Sequence, residues 1–353
     1  GEICESVHCA AAEFAEHIDQ IVTVGDQLDI AFLGLGMQPV TRPHEFDLVP
    51  KQRYGIMWPY MARVGTLGQR MMSQTATVQV NVDYGSEADA MQKLRVGMGI
   101  DPLLTAMFAN SPLSDGDLNG YKSFRGHIWT DTDNARSGLL RFVFDAGAGF
   151  EHYVEWALDV PMYFVKRDGR YIDVAGRSFR DFMAGRLAEV DGETPTLKDW
   201  ADHTTTIFPE VRLKQYLEMR GADAGPWTRL CGLPALWAGL LYDPPSQAAA
   251  WDLCKDWTAE QRAALRGDVT RQGLKATIAG RTVQDVARDM LAIAHQGLKN
   301  RNRLSGGMVD ETNYLGELED IADTGVTAAE RLLELYHGAW QGNVGEVFEA
   351  FAY

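Results

Sequence analysis

Apolar and polar positions alternate in two stretches of the chain. In QTATVQVNVDYGS, residues 74–86, Val78, Val80 and Val82 fall on one side and Thr77, Gln79, Asn81 and Asp83 on the other. In EVRLKQYLEMRGAD, residues 210–223, Val211, Leu213, Leu217 and Met219 oppose Arg212, Lys214, Tyr216, Glu218 and Arg220. Successive strand residues point to opposite faces, so both stretches predict strands with one apolar and one polar face. Further apolar patterns predict a buried strand ending in a turn at 30–39 (IAFLGLGMQP) and a hairpin around the RDGR turn at 167–170. Helices are expected over 3–22, from Ser86 onward with Asp89 as an approximate capping box, around 101–109, and in FRDFMAGRLAEV. Residues 110–138 are rich in turn formers, and DGETPTLKDW reads as an exposed loop.

The texture changes at about residue 225. LPALWAGLL reads as a buried helix, and TAEQ at 258 and TAAE at 327 are capping boxes before amphipathic runs. The pattern is neither a βαβ alternation nor all-β. It predicts an α+β fold: an antiparallel sheet backed by helices. The expected organisation is one domain over 1–353, with a sheet-rich part at 1–224 and a mainly helical part at 225–353. No internal repeat or flexible linker interrupts it.

Composition narrows the function classes. The chain has 353 residues, a formal net charge of -16, and 46% hydrophobic and 23% charged residues. An acidic chain of this kind is a poor partner for nucleic acid or an anionic membrane. An anionic substrate would need a local cluster of arginine or lysine working against the overall field. No apolar run is long enough to span a bilayer. Four cysteines, Cys4, Cys9, Cys231 and Cys254, form no metal-like spacing, so a reduced, cytoplasmic setting is expected. The chain opens at Gly1 directly into a helix-like segment, which reads as a fragment or a processed product.

On periodicity alone the charged face of 210–223 looks at water, because antiparallel sheets often keep one wet face. If both alternating stretches joined one sheet, their polar faces would form a floor of carboxylate, amide and guanidinium groups. Glutamate oxygens suit Mg²⁺, and arginine forks suit phosphates and carboxylates. A solvated sheet fits the same residues. FLGLG at 32–36 is no dinucleotide fingerprint, and P-loop, GxSxG, HExxH and CxxC motifs are absent from the sequence. His127 and His203 read as structural. Asp131 and Asp133 in WTDTDNAR read first as turn residues bonding their own backbone, and second as metal ligands.

Taken together, QTATVQVNVDYGSEADAMQKLR, ANSPLSDGDLNGYKSFRGHIWTDTD, ALDVPMYF, TTIFPEVRLKQYLEMRGADAGPW and TGVTAAERLLELYHG resemble the plant-type glutamate–cysteine ligases, which also occur in proteobacteria, along the whole chain. The resemblance implies a glutamine-synthetase-like fold whose curved antiparallel sheet forms an active-site funnel. It implies ligation of L-glutamate to L-cysteine with ATP, through a γ-glutamyl phosphate, as the first step of glutathione synthesis. A related ligase with another amine acceptor, or a fragment that binds without turnover, are the alternatives. On this resemblance Glu218 is a Mg²⁺ ligand, and Arg220 contacts phosphate and shares the catalytic role with Arg125. Gln79 and Asn81 lie near nucleotide or metal, Arg53 and Arg125 hold substrate carboxylates or the developing phosphate, and Tyr163 and Trp129 shape the amino-acid pocket. Arg53 also reads as a surface charge, and Tyr163 and Trp129 as core aromatics. The partners implied are small molecules, and the working unit a monomer or homodimer.

The chain departs from the family in two ways. Glutamate-rich segments of a GTEHE kind and a GGQFE kind, which supply further metal ligands, are absent from it. Cys231 matches a family cysteine, but its partner position is Ala11, and the hairpin positions near Val174 and Val190 are not cysteines, so no disulfide switch is expected.

Overall fold

The computed structural model describes residues 3–353. It is a mixed α and β structure in which helices dominate and the sheets are small and mostly antiparallel. The two alternating stretches do meet in one sheet. Val80–Val82 (β1), Val211–Leu213 (β2) and Leu217–Met219 (β3) form three antiparallel strands with β3 in the middle. The second stretch is therefore a hairpin and not one long strand. Val211 pairs with Met219, Arg212 with Glu218 and Leu213 with Leu217, and Lys214 N–H donates to the Tyr216 carbonyl across the turn. Paired residues of an antiparallel ladder share a face. Every pair here joins two odd or two even numbers, so folding the strand back leaves each side chain on the face that alternation assigns.

Helix Val7–Leu28 (α1) is followed by an irregular stretch, where isolated bridges at Leu33 and Met37 replace the strand expected at 30–39. Helix Glu87–Met107 (α2) starts as the sequence predicts, with the Ser86 side chain accepting from Asp89 N–H. It then runs straight through Pro102, so the separate helix expected near 101 is its second half. A proline removes one donor, and the buried surroundings of residues 96–107 hold the helix together across it. α2 lies under the apolar face of the sheet. Gly97 makes that approach possible, because a Cβ there would meet Val211 Cγ2 at 2.9 Å and Met219 Sδ at 3.3 Å.

The RDGR hairpin pairs Phe164–Arg167 with Arg170–Asp173, with Asp168 and Gly169 at positive φ, as a tight primed turn requires. FRDFMAGRLAEV gives only the short helix Phe179–Met183 and a 3₁₀ turn, and the expected loop at 191–200 already contains the start of helix Leu197–Thr204. Helices Trp227–Leu241 (α3), Ala259–Gln272 (α4) and Val283–Arg301 (α5) build most of the remaining core with α2. Both capping boxes, at Thr258 and Thr327, form. α3 and α5 touch backbone to backbone: a Cβ on Gly239 would overlap the Ala294 carbonyl, and one on Gly297 the Gly239 carbonyl. Among the described residues no helix is long and apolar enough to cross a membrane.

Candidate functional site

The polar face of the sheet carries a concentrated charge cluster. Asn81, Glu218 and Arg212 stand in one row across β1, β3 and β2. Glu218 is 6% exposed and takes three cations. Arg212 Nη2 lies 2.9 Å from Oε1 and 2.7 Å from Oε2, Arg220 Nη1 donates to Oε2 at 2.6 Å, and Lys214 Nζ lies 3.4 Å from Oε1. Burial alone would raise the Glu218 carboxyl, but Arg212 and Arg220 outweigh it and hold it down at about 2. It stays ionised, and the cations outnumber it. The cluster therefore carries net positive charge in an acidic protein.

Those cations keep free hydrogen-bonding capacity. Arg220 donates through Nη1 alone among the described residues. Arg212 also bonds the Ile207 carbonyl, yet its Nε is buried with no partner. Lys214 sits in the hairpin turn, a third exposed, with Nζ 3.0 Å from the Tyr216 hydroxyl. Aromatic rings wall the arginines: the Arg220 guanidinium lies 5.7 Å from the rings of Trp129 and Phe208, and Arg212 lies 6.0 Å from Phe208. Arginine over an aromatic face loses little hydration and keeps its fork for an oxyanion.

Arg220 is held from behind. Arg125, 3% exposed, donates through Nη2 to the Arg220 carbonyl at 2.7 Å and through Nη1 to the Gly221 carbonyl at 3.4 Å. Its counter-ion is Asp223, at 3.7 Å, whose carboxylate also accepts from Ser111, Ser123 and the Asn110 N–H. The Arg220 N–H bonds the Glu210 carbonyl, and Glu210 is paired with Arg266 at 2.6 Å. Asp101 of α2 packs its carboxyl against Gly221, where any Cβ would overlap it. Burial, with Glu210 adding to it, pushes that carboxyl well above the usual range. The arrangement is a rigid cradle that points one under-bonded arginine at an open polar face.

A family model described as glutamate-cysteine ligase family 2 matches residues 1–350. The chain belongs to that family. It is 52% identical over its full 353 residues to a chloroplastic glutamate–cysteine ligase of Nicotiana tabacum, of which it covers 66%. It is 51% identical to the chloroplastic glutamate–cysteine ligase B of Oryza sativa subsp. japonica, covering 70%, and 50% identical to the Arabidopsis thaliana protein, covering 66%. The chain thus spans about two thirds of the length of these relatives. All are named chloroplastic, and this overturns the cytoplasmic expectation. Sparse cysteine and the lack of an apolar span speak to redox state and membrane insertion, and neither one encodes a compartment.

Against the family, the residues expected at the site fall into two groups. Glu218, Arg220, Asn81 and Trp129 come together, and Gln79 directly precedes β1, two residues before Asn81. The others stand apart from the Glu218 cluster. Arg125 lies behind Arg220, with its donors directed at backbone. Tyr163 is buried, its hydroxyl donating to Asp133 at 3.4 Å and its ring covered by Arg136 at 3.8 Å. Arg53, in helix Gln52–Val64, stacks on Tyr54 at 5.2 Å, and its Nε is buried without a partner. Asp133 pairs with Arg136, and Asp131 accepts from Thr66, so both do structural work in this chain. His203 is likewise structural, its Nε2 donating to the Ala157 carbonyl at 2.9 Å. Arg212 and Lys214 belong to the site although the family pattern singled out neither. The signal for them is their even-numbered place on the charged face of 210–223.

A Mg²⁺ ion does not fit the described residues of this chain. Among the described residues no group of three or more His, Cys, Asp or Glu is placed to hold a metal. Glu218 is the carboxylate of its row, and its oxygens are already taken by two arginines and a lysine. A hard cation wants several oxygen ligands at once.

Proposed function

We propose that this chain carries the ATP-dependent joining of the L-glutamate γ-carboxylate to the amine of L-cysteine, through a γ-glutamyl phosphate. This is the first step of glutathione synthesis. The observation that carries the reading is the under-bonded Arg220, with Arg212 and Lys214, on the polar face of the sheet in a chain of this family. A carboxylate is a poor electrophile, and phosphorylation gives it a leaving group. That transfer depends on positioned charge more than on covalent help. In this reading Arg220 and Lys214 take phosphate oxygens, and Arg212 keeps Glu218 ionised between them. Asn81 and Gln79 offer amides to the nucleotide, and Trp129 closes one side. Arg125 is a positioning residue for Arg220. Arg53, with its unpartnered Nε, is the candidate for a substrate carboxylate, and Tyr163 shapes that side from the second layer of packing.

Mg²⁺ accompanies ATP in the family expectation. The described residues do not assemble a site for it. The finer fold reading is that the three-stranded sheet is part of the wall of a glutamine-synthetase-like funnel. We read the chain as one ligase domain, with residues 1–224 bearing the site and 225–353 supporting it, working as a monomer or a homodimer on small molecules.

A second reading has its own support. The lack of a metal-ligand group among the described residues favours a chain that binds ATP or glutamate without turnover. One experiment separates the two: ADP release from Mg-ATP, with L-glutamate and L-cysteine added singly and together. Release that requires both amino acids supports the ligase. Saturable binding without release supports the second reading, and release that favours another amine would reassign the acceptor.

A further inference from the structure

A cleft of about 590 Å³ opens beside α4, and none of its walls comes from the three-stranded sheet. Its polar lining includes Arg141, Arg262, Arg266, Asn134 and Ser137, and Asp145 is its acidic residue. Arg266 is already paired with Glu210 and bonded to the Trp129 carbonyl at 2.8 Å. The remaining positive charge rests on two arginines. Arg141 is exposed and makes no ion pair among the described residues.

Arg262 is the unusual one. It is 5% exposed, has no carboxylate partner, and its Nε is buried with no hydrogen bond. Nη2 donates to the carbonyls of Cys254 and Lys255, and the guanidinium lies flat over Phe144 at 3.7 Å. Taking a guanidinium out of water without an anion is costly. The cleft is where such an anion can sit. Its size is that of a small-molecule site, larger than a bare phosphate needs. Leu139 and Phe144 supply apolar wall for the rest of the molecule.

We propose that this cleft binds a small organic anion, with its phosphate or carboxylate head at Arg262 and Arg141 and a small apolar body against Leu139 and the edge of Phe144. The site is separate from the charge cluster on the sheet. It is joined to that cluster through Arg266, which holds both Glu210 and the Trp129 backbone, and through Ser137–Gly138, which pairs with Phe208–Pro209.

The test uses the full chain at about 0.15 M salt, with phenyl phosphate and benzoate as probes and saturation-transfer NMR as the readout. Ala263 lines the cleft and is exposed, so Ala263→Glu places a negative charge at its mouth without disturbing the core. Arg141→Glu removes the rim cation. Saturable binding of either probe is expected. It should weaken at least tenfold in both variants and persist in Arg212→Gln, whose change lies on the sheet. The probe that binds more tightly identifies the head group. No saturable binding of either probe, or binding that ignores Ala263→Glu and Arg141→Glu, would overturn the assignment.

Discussion

Arg136 and Arg220 are both buried arginines beside a carboxylate, and they differ in what their remaining nitrogens do. Arg136 is wholly enclosed. Its Nε bonds Asp133 at 2.5 Å, Nη1 the Thr206 carbonyl, and Nη2 the Pro161 carbonyl, while its flat face covers Tyr163. Arg220 gives one hydrogen to Glu218, and its other side-chain donors have no hydrogen-bond partner among the described residues. A guanidinium with every nitrogen bonded is a joint in the frame. One with donors left over is a place for an oxyanion. The same residue type, buried in both places, thus serves architecture in one region and recognition in the other. Arg125, though expected to touch substrate, behaves like Arg136.

The comparison breaks most visibly at Arg136. Arg136→Gln leaves Asp133 buried without its cation, and should cost about 3–5 kcal/mol of stability in a denaturant titration. A loss below about 1 kcal/mol would show that enclosure does not make an arginine structural. Arg220→Gln should do the opposite: little change in unfolding midpoint, and a fall in ADP release on the order of 10²–10³. Equal loss of stability and activity would merge the two classes. Arg125→Lys tests the intermediate case. It gives up one of two backbone bonds, so about 1–2 kcal/mol of stability should go, with a rise in KM for ATP, through a displaced Arg220, and little change in KM for glutamate. A rise confined to glutamate would return Arg125 to the substrate side.

The enclosed region also predicts a pH effect. Burial lowers His203 from 6.5 to about 4, with Arg136 adding to the shift and the Ala157 carbonyl opposing it. The folded chain therefore prefers neutral His203. The corresponding stability is complete above pH 6.5 and is lost progressively as pH falls toward 4. His203→Gln should flatten the stability curve across that window, and an unchanged slope would remove His203 as its source. The smallest effect belongs to Trp129→Phe, which weakens a cation–π contact of about 0.5–1 kcal/mol and should raise KM for ATP a few-fold.

Much of the sheet was legible because strand alternation survives a hairpin. Arg212, Glu218 and Arg220 share a face whether the chain runs straight or folds back, so an incorrect strand length still led to the correct face. The family pattern then drew attention to Glu218 and Arg220. What stayed hidden was the destination of each donor. Nothing in SFRGHIW tells that Arg125 turns toward the carbonyls of residues 220 and 221, nearly a hundred positions away. Glu218 reads as a metal ligand by resemblance and because carboxylates suit Mg²⁺, and the three cations around it are visible only in three dimensions. Proline misled for a related reason. Pro102 marks a local break, and packing along the whole of α2 overrides it.

The contact between Gly239 and Gly297 gives the helical half a further property. Where two helices meet through backbone alone, no side chain can swing aside to let one slide over the other. The joint has no play: α3 and α5 part as whole bodies or stay together. Amide protons on both sides of that crossing are therefore sealed from solvent until the core itself opens, and they would keep the slowest clock in the molecule when it is placed in heavy water.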